Sequence, residues 1–95
     1  MPEPLQLLIY DYVADMAQRR APHREAHLAL IRRYQADDRL VIAGGVGDPV
    51  HGGLLAFRTV ADAEAFAAVD PYGSAGLVVS SRVEPWAVVA PSTRE

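Results

Sequence analysis

The stretch LQLLIYDYV, residues 5–13, decides the fold. Its apolar side chains fall on both alternating sets: Leu5, Leu7 and Ile9 on one, Leu8, Tyr10 and Tyr12 on the other. Successive side chains of a strand point to opposite faces, so this pattern predicts a β-strand that is covered on both sides. Any sheet built around it needs one layer of cover above and another below.

Working outward, ADMAQRRAP (14–22) has no clean period and reads as a connection with room for a helical turn. From residue 24 to 37, His27, Leu28, Ile31, Tyr34 and Gln35 recur at helical spacing, with Arg32, Arg33 and Asp37 turned outward. Pro22 suits the start of that helix. ADDR ends it, with Asp38 where a glycine would usually stand; aspartate tolerates the left-handed conformation better than most residues. LVIAGG (40–45) is a short apolar strand, VGDPVHGG a turn-rich loop, and GLLAFRT (53–59) the returning strand. In TVADAEAFAAVD, Thr59 followed by Asp62 forms a capping pattern ahead of the helical stripe Val60, Ala63, Phe66, Ala67. Pro71 disfavours a helical Asp70 and stops this second helix. LVVSSRVEPWAVV (77–89) is a long strand whose Pro85 demands an edge position or a bulge. APSTRE (90–95) is expected to be a frayed tail.

The order β-α-β-β-α-β is the ferredoxin-like arrangement: an α+β fold with a four-stranded antiparallel sheet and two helices on one face. The second face has no element left to cover it. A second copy of the same sheet is the economical cover, which predicts a homodimer packed through the open sheet face.

Composition sets the outer bounds. Ninety-five residues make a single domain, 1–95, with its core at about 5–89. At 51% hydrophobic, the chain is apolar for its size, which again suggests surface buried against a partner. The formal charge is −3 and no basic block exists to track phosphates, so nucleic-acid binding is not expected. There is no cysteine, which removes disulfides, thiolate nucleophiles and cysteine-based zinc sites. MPEPLQLLIYDY lacks a positive leader and a long apolar run, so a membrane span is not expected and a cytoplasmic location is.

For chemistry, RRAPHREAHLALI (19–31) sets His23 and His27 four residues apart. The zinc pattern H-E-x-x-H fails, since Arg24 follows the first histidine, and His51 lies in a distant loop; no metal is expected. His27 lies on the apolar side of its helix, and histidine titrates near neutrality, which suits general acid–base work. The plainer reading is a histidine satisfied by a backbone carbonyl. His23 is expected to face solvent. Asp70 sits at the unfavourable end of a helix dipole. Either it caps the turn begun by Pro71, or it pairs with a donor such as His27 across the helix layer. The glycine-rich loop 44–53 matches no phosphate-binding spacing and precedes a strand. Ser80 and Ser81 have no base placed by a motif, and Tyr10, Tyr12 and Trp86 read as core or interface aromatics.

REAHLALIRRYQADDRLVIAGG, DAEAFAAVDPYGSAGLV and VEPW, in that order and spacing, resemble the YCII-like family over nearly the whole chain. The most specific pieces are Arg24-x-x-His27-Leu28, Gly44, and Asp70-Pro71-Tyr72. The resemblance implies a dimeric α+β barrel and a His–Asp pair, His27 and Asp70, in a pocket between helices and sheet. It places Arg24, Tyr72 and Gly44 in substrate binding, with no cofactor, and lyase, dehalogenase or isomerase chemistry on small cyclic substrates. The chain departs from the family pattern at Asp38, at Gly45 where proline commonly follows Gly44, and in a shorter central loop. Two other readings stand beside the enzyme: a non-catalytic dimeric module that binds a small ligand or protein in the same pocket, and a monooxygenase of the wider dimeric α+β barrel group.

Overall fold

The computed structural model describes residues 3–91; of the expected tail, residues 92–95 lie outside it. Four strands, β1 (Glu3–Tyr12), β2 (Leu40–Val46), β3 (Gly52–Phe57) and β4 (Val78–Val88), form one antiparallel sheet in the order β2-β3-β1-β4. Between β1 and β2 run a short helix α1 (Met16–Arg19), a 3-10 turn (Ala21–His23) and the main helix α2 (Arg24–Ala36). Between β3 and β4 run α3 (Val60–Val69) and a one-turn helix α4 (Pro71–Ser74). This is the expected ferredoxin-like order with additional short helical turns.

Local signals set the element ends. Asp38 has φ 58° and occupies the left-handed position after α2, while the Arg39 and Asp38 amides bond back to the Tyr34 and Gln35 carbonyls at 2.9 and 3.0 Å. That double closure stops a helix and requires a residue that tolerates positive φ. The Thr59 hydroxyl accepts from the Asp62 amide at 3.1 Å and caps α3. Asp70 is extended (φ −64°, ψ 124°), as a residue before proline must be, and separates α3 from α4. Pro85 lies in β4, an edge strand, where its missing N–H takes nothing from the sheet.

Strand β1 lies between β3 and β4 and has two different faces. Leu8 and Tyr10 point toward the helices with their ladder neighbour Leu55, and meet Leu30, Tyr34, Ala63 and Phe66. Aromatic edges lock this layer: Phe66 stands edge-on to Tyr34 at 5.2 Å between centroids and tilted against Phe57 at 5.3 Å. On the other face, directly opposed residues share a side, which groups Leu5 with Trp86 and Leu7 with Ala56. Ile42, Leu54 and Trp86 are 60, 41 and 40% exposed there, so among the described residues nothing covers this apolar face.

Helix α2 refines the expected stripe. Its buried residues are His27, Leu30 and Tyr34. Leu28, Ile31 and Gln35, one step around the helix, line an open space beside β2 instead. The apolar face of α2 is therefore split between core and cavity.

Candidate active site

The cavity between α2, β2 and Arg20, the residue before the 3-10 turn, has a volume of about 470 Å³, within the size range of small-molecule sites. His27 stands on its wall. Its side chain is buried by the helix period that places Leu30 and Tyr34, and the stop at Pro71 delivers Asp70 to it from 43 residues away.

Asp70 is 1% exposed and accepts three hydrogen bonds. Its Oδ1 accepts from the Tyr72 amide at 3.0 Å and meets Nδ1 of His27 at 2.8 Å; its Oδ2 accepts from the Tyr10 hydroxyl at 2.9 Å. Both sequence readings of Asp70 thus hold together, since one carboxylate caps α4 and pairs with the histidine. A carboxylate only accepts, so Nδ1 carries the hydrogen; in the neutral ring Nε2 then keeps its lone pair. Nε2 has no hydrogen-bond partner among the described residues.

The imidazole is held in plane as well as by its edge. The Tyr72 ring stacks on it at 3.7 Å with an interplanar angle of 6°, and Phe66 meets it edge-on at 6.2 Å. Tyr12 in turn stands perpendicular to Tyr72 at 5.9 Å. Burial, together with the negative charge of Asp70, pushes the Tyr10 and Tyr12 phenols well above their ordinary range; the hydrogen bond to Asp70 adds to this for Tyr10. Both tyrosines stay protonated near neutrality. Among the described residues no carboxylate lines the cavity, and His27 stands as the base on its wall.

The other expected site residues fall as follows. Arg24, the first residue of α2, is exposed and lines the cavity. Tyr72 lines it too, although its hydroxyl is buried with no partner among the described residues. Gly44 reaches the cavity through its backbone: it pairs with Leu54 on the open face, and a Cβ there would meet nothing within 4 Å. Gly45, opposite Gly53, is the glycine whose bare α-carbon faces the helices; a Cβ on it would come within 3.2 Å of Val50. Gly53 admits Tyr12, whose hydroxyl would lie 2.5 Å from a Cβ at that position. His23 is half-buried at the start of α2 and does not line the cavity. The Ser80 hydroxyl donates to Asp11 at 2.7 Å, away from His27. Among the described residues no group of three or more metal-ligating side chains comes together.

Sequence reasoning missed Arg20, Tyr12 and Gly45 as cavity residues. Arg20 precedes the 3-10 turn, where no period marks a face. Tyr12 alternates with the core residues of β1 and carries the same signal as they do. Gly45 was visible only as a departure from the family pattern.

The fold has solved counterparts. The 5-chloro-2-hydroxyhydroquinone dehydrochlorinase TftG from Burkholderia phenoliruptrix AC1100, in complex with 2,5-dihydroxybenzoquinone, is 24% identical, with a TM-score of 0.71 over 86% of this chain and 92% of its own. A Nitrosomonas europaea protein assigned as an antibiotic biosynthesis monooxygenase is 13% identical, with a TM-score of 0.52 over 97% of this chain and 96% of its own. At these identities the likeness concerns the fold, that of the dimeric α+β barrel proteins. No curated protein matches the chain. The model of the YCII-related domain matches residues 5–87, and the chain belongs to that family.

Proposed function

We propose that the chain is a small-molecule enzyme in which His27 is the general base and Asp70 orients it. The observation that carries this reading is the 2.8 Å contact of buried Asp70 with Nδ1, which leaves Nε2 beside a cavity of about 470 Å³. In this mechanism Nε2 takes a proton from a carbon of a bound ring compound, and the electron pair passes into an enolate. The Asp70 carboxylate stabilises the imidazolium that forms, and the Arg24 guanidinium faces the oxygen on which charge develops. An isomerase-type reaction returns the proton at another carbon. A lyase or dehalogenase expels a neighbouring leaving group with the electron pair, and the imidazolium gives up its proton to it or to water. Tyr72 backs the imidazole, and the backbone at Gly44 closes one side. TftG, of the same fold, acts on a chlorinated hydroxyhydroquinone, which makes hydroxylated six-membered rings the first compounds to try.

The same reading includes a homodimer. The exposed Ile42, Leu54 and Trp86 form the face that a second sheet would cover, as in the dimeric α+β barrels.

The test is hydrogen exchange in deuterated water with a panel of hydroxylated and enolisable ring compounds, followed by mass spectrometry and NMR. Deuterium incorporation or leaving-group release that vanishes in His27→Gln supports the enzyme. Compounds that shift the His27 resonances without any exchange or turnover overturn it in favour of a binding module.

A further inference from the structure

All nine basic residues of this chain are arginines, in a protein with a formal charge of −3. Most of those within residues 3–91 are paired: Arg19 with Asp15, Arg32 with Glu25, Arg39 with Asp37, Arg58 with Asp38 and Arg82 with Glu84, at 3.1 to 3.7 Å. Arg20, Arg24 and Arg33 have no carboxylate partner among the described residues. Two of these three, Arg20 and Arg24, line the cavity that holds His27, and among the described residues no acidic side chain joins them there. Surface arginines in an acidic chain find counter-charges readily, as the other five do. A pair left without one at the same opening concentrates positive charge where the rest of the protein is negative.

The arrangement also solves a problem of the site. Asp70 is buried directly behind His27, and its negative charge opposes the entry of an anion. Two guanidiniums on the cavity side offset that repulsion. Each presents a planar fork of donors that matches two oxygens at once, which a lone ammonium does not. Both also act on the Tyr12 hydroxyl, opposing the rise in its pKa, which places their charge on the same wall.

We propose that the ligand enters the cavity already negatively charged, as a small ring compound bearing a carboxylate or an ionised ring hydroxyl, and that Arg20 and Arg24 bind this oxyanion jointly. This rests on the cavity being the substrate site and adds to it the charge state of the substrate and a second binding residue. Arg20 is then a binding residue in the ground state, and Arg24 serves both there and at the oxygen on which charge develops.

The test compares benzoate with its neutral isostere benzamide, and 4-nitrophenolate with nitrobenzene, by NMR titration of the His27 and Tyr72 resonances. Each anion should bind at least about tenfold more tightly than its neutral counterpart, with the preference falling as salt is raised. Arg20→Gln should remove most of the preference of wild type, and Arg20→Lys should restore part of it. A benzoate preference alone assigns a carboxylate, and a nitrophenolate preference alone an ionised hydroxyl. Equal binding of anion and neutral partner, or a preference that survives Arg20→Gln, overturns this inference and leaves the cavity reading standing. If none of the four probes moves His27 or Tyr72, the cavity reading falls with it.

Discussion

The Asp70 carboxylate offers the sharpest test of how this site is held together. Asp70→Ala strips the acceptor from three buried donors: the Tyr10 hydroxyl, the His27 Nδ1–H and the Tyr72 amide. An unsatisfied buried donor costs about 1–3 kcal/mol. Relief from burying the charge offsets part of the sum, and removal of one partner of a buried pair leads to an expected loss of about 3–5 kcal/mol. That is a large share of the roughly 5–15 kcal/mol that holds a domain folded. Asp70→Asn should behave differently. The Tyr72 amide selects the orientation of the new side chain, because it needs an oxygen at the Oδ1 position. The same oxygen then still accepts from His27, and the new amide N–H donates to a rotated Tyr10 hydroxyl. Only charge assistance is lost, about 1–2 kcal/mol. Urea unfolding followed by far-ultraviolet circular dichroism, at one pH and one protein concentration, measures both. Nitrogen-15 NMR should find His27 protonated at Nδ1 when neutral in wild type and in Asp70→Asn. Equal losses for the two variants, or a loss below about 1 kcal/mol for Asp70→Ala, would refute the reasoning from hydrogen-bond satisfaction.

The remaining expectations concern the surroundings of that pair. Tyr72→Phe removes a buried hydroxyl that has no partner among the described residues, and should leave stability unchanged or raise it by about 1 kcal/mol in the same unfolding assay; a clear loss would reveal a partner for that hydroxyl. Because burial and Asp70 raise the Tyr10 and Tyr12 phenols above the unfolded value near ~10, their contribution to stability is complete below about pH 10 and is lost as pH rises beyond it. The slope should approach about 1.4 kcal/mol per pH unit for each tyrosine, and ultraviolet titration should show both ionising only with unfolding; early ionisation of either in the folded protein contradicts this. The double variant Ile42→Glu, Trp86→Glu should sediment as a monomer where wild type sediments as a dimer, and a monomeric wild type removes the sheet-face pairing.

What the sequence determined by itself was whatever depends on neighbours within a few residues. Alternation marked β1 as a strand with two apolar faces, Thr59 and Asp62 marked a helix start, Asp38 a left-handed stop, and Pro85 an edge position or a bulge; each works through steric or hydrogen-bonding rules that span at most about one helical turn. Periodicity also put His27 on the apolar side of α2. It did not distinguish the side that enters the core from the side that lines the cavity, because Leu30 and Leu28 carry the same local signal. The tertiary structure decided this through the aromatic layer of Tyr34, Phe57 and Phe66, which takes up one side of α2. The pairing of Asp70 with His27 was one of two readings of the residues and was implied by the family resemblance, but its geometry, with Nδ1 on the carboxylate, depends on distant segments of the chain meeting. Arg20 and Gly45 illustrate the same limit. One lies in a turn without a period, the other in a strand where either glycine could have faced the helices. The cavity brings them to His27 because packing of distant segments, and not any local preference, sets which surfaces meet.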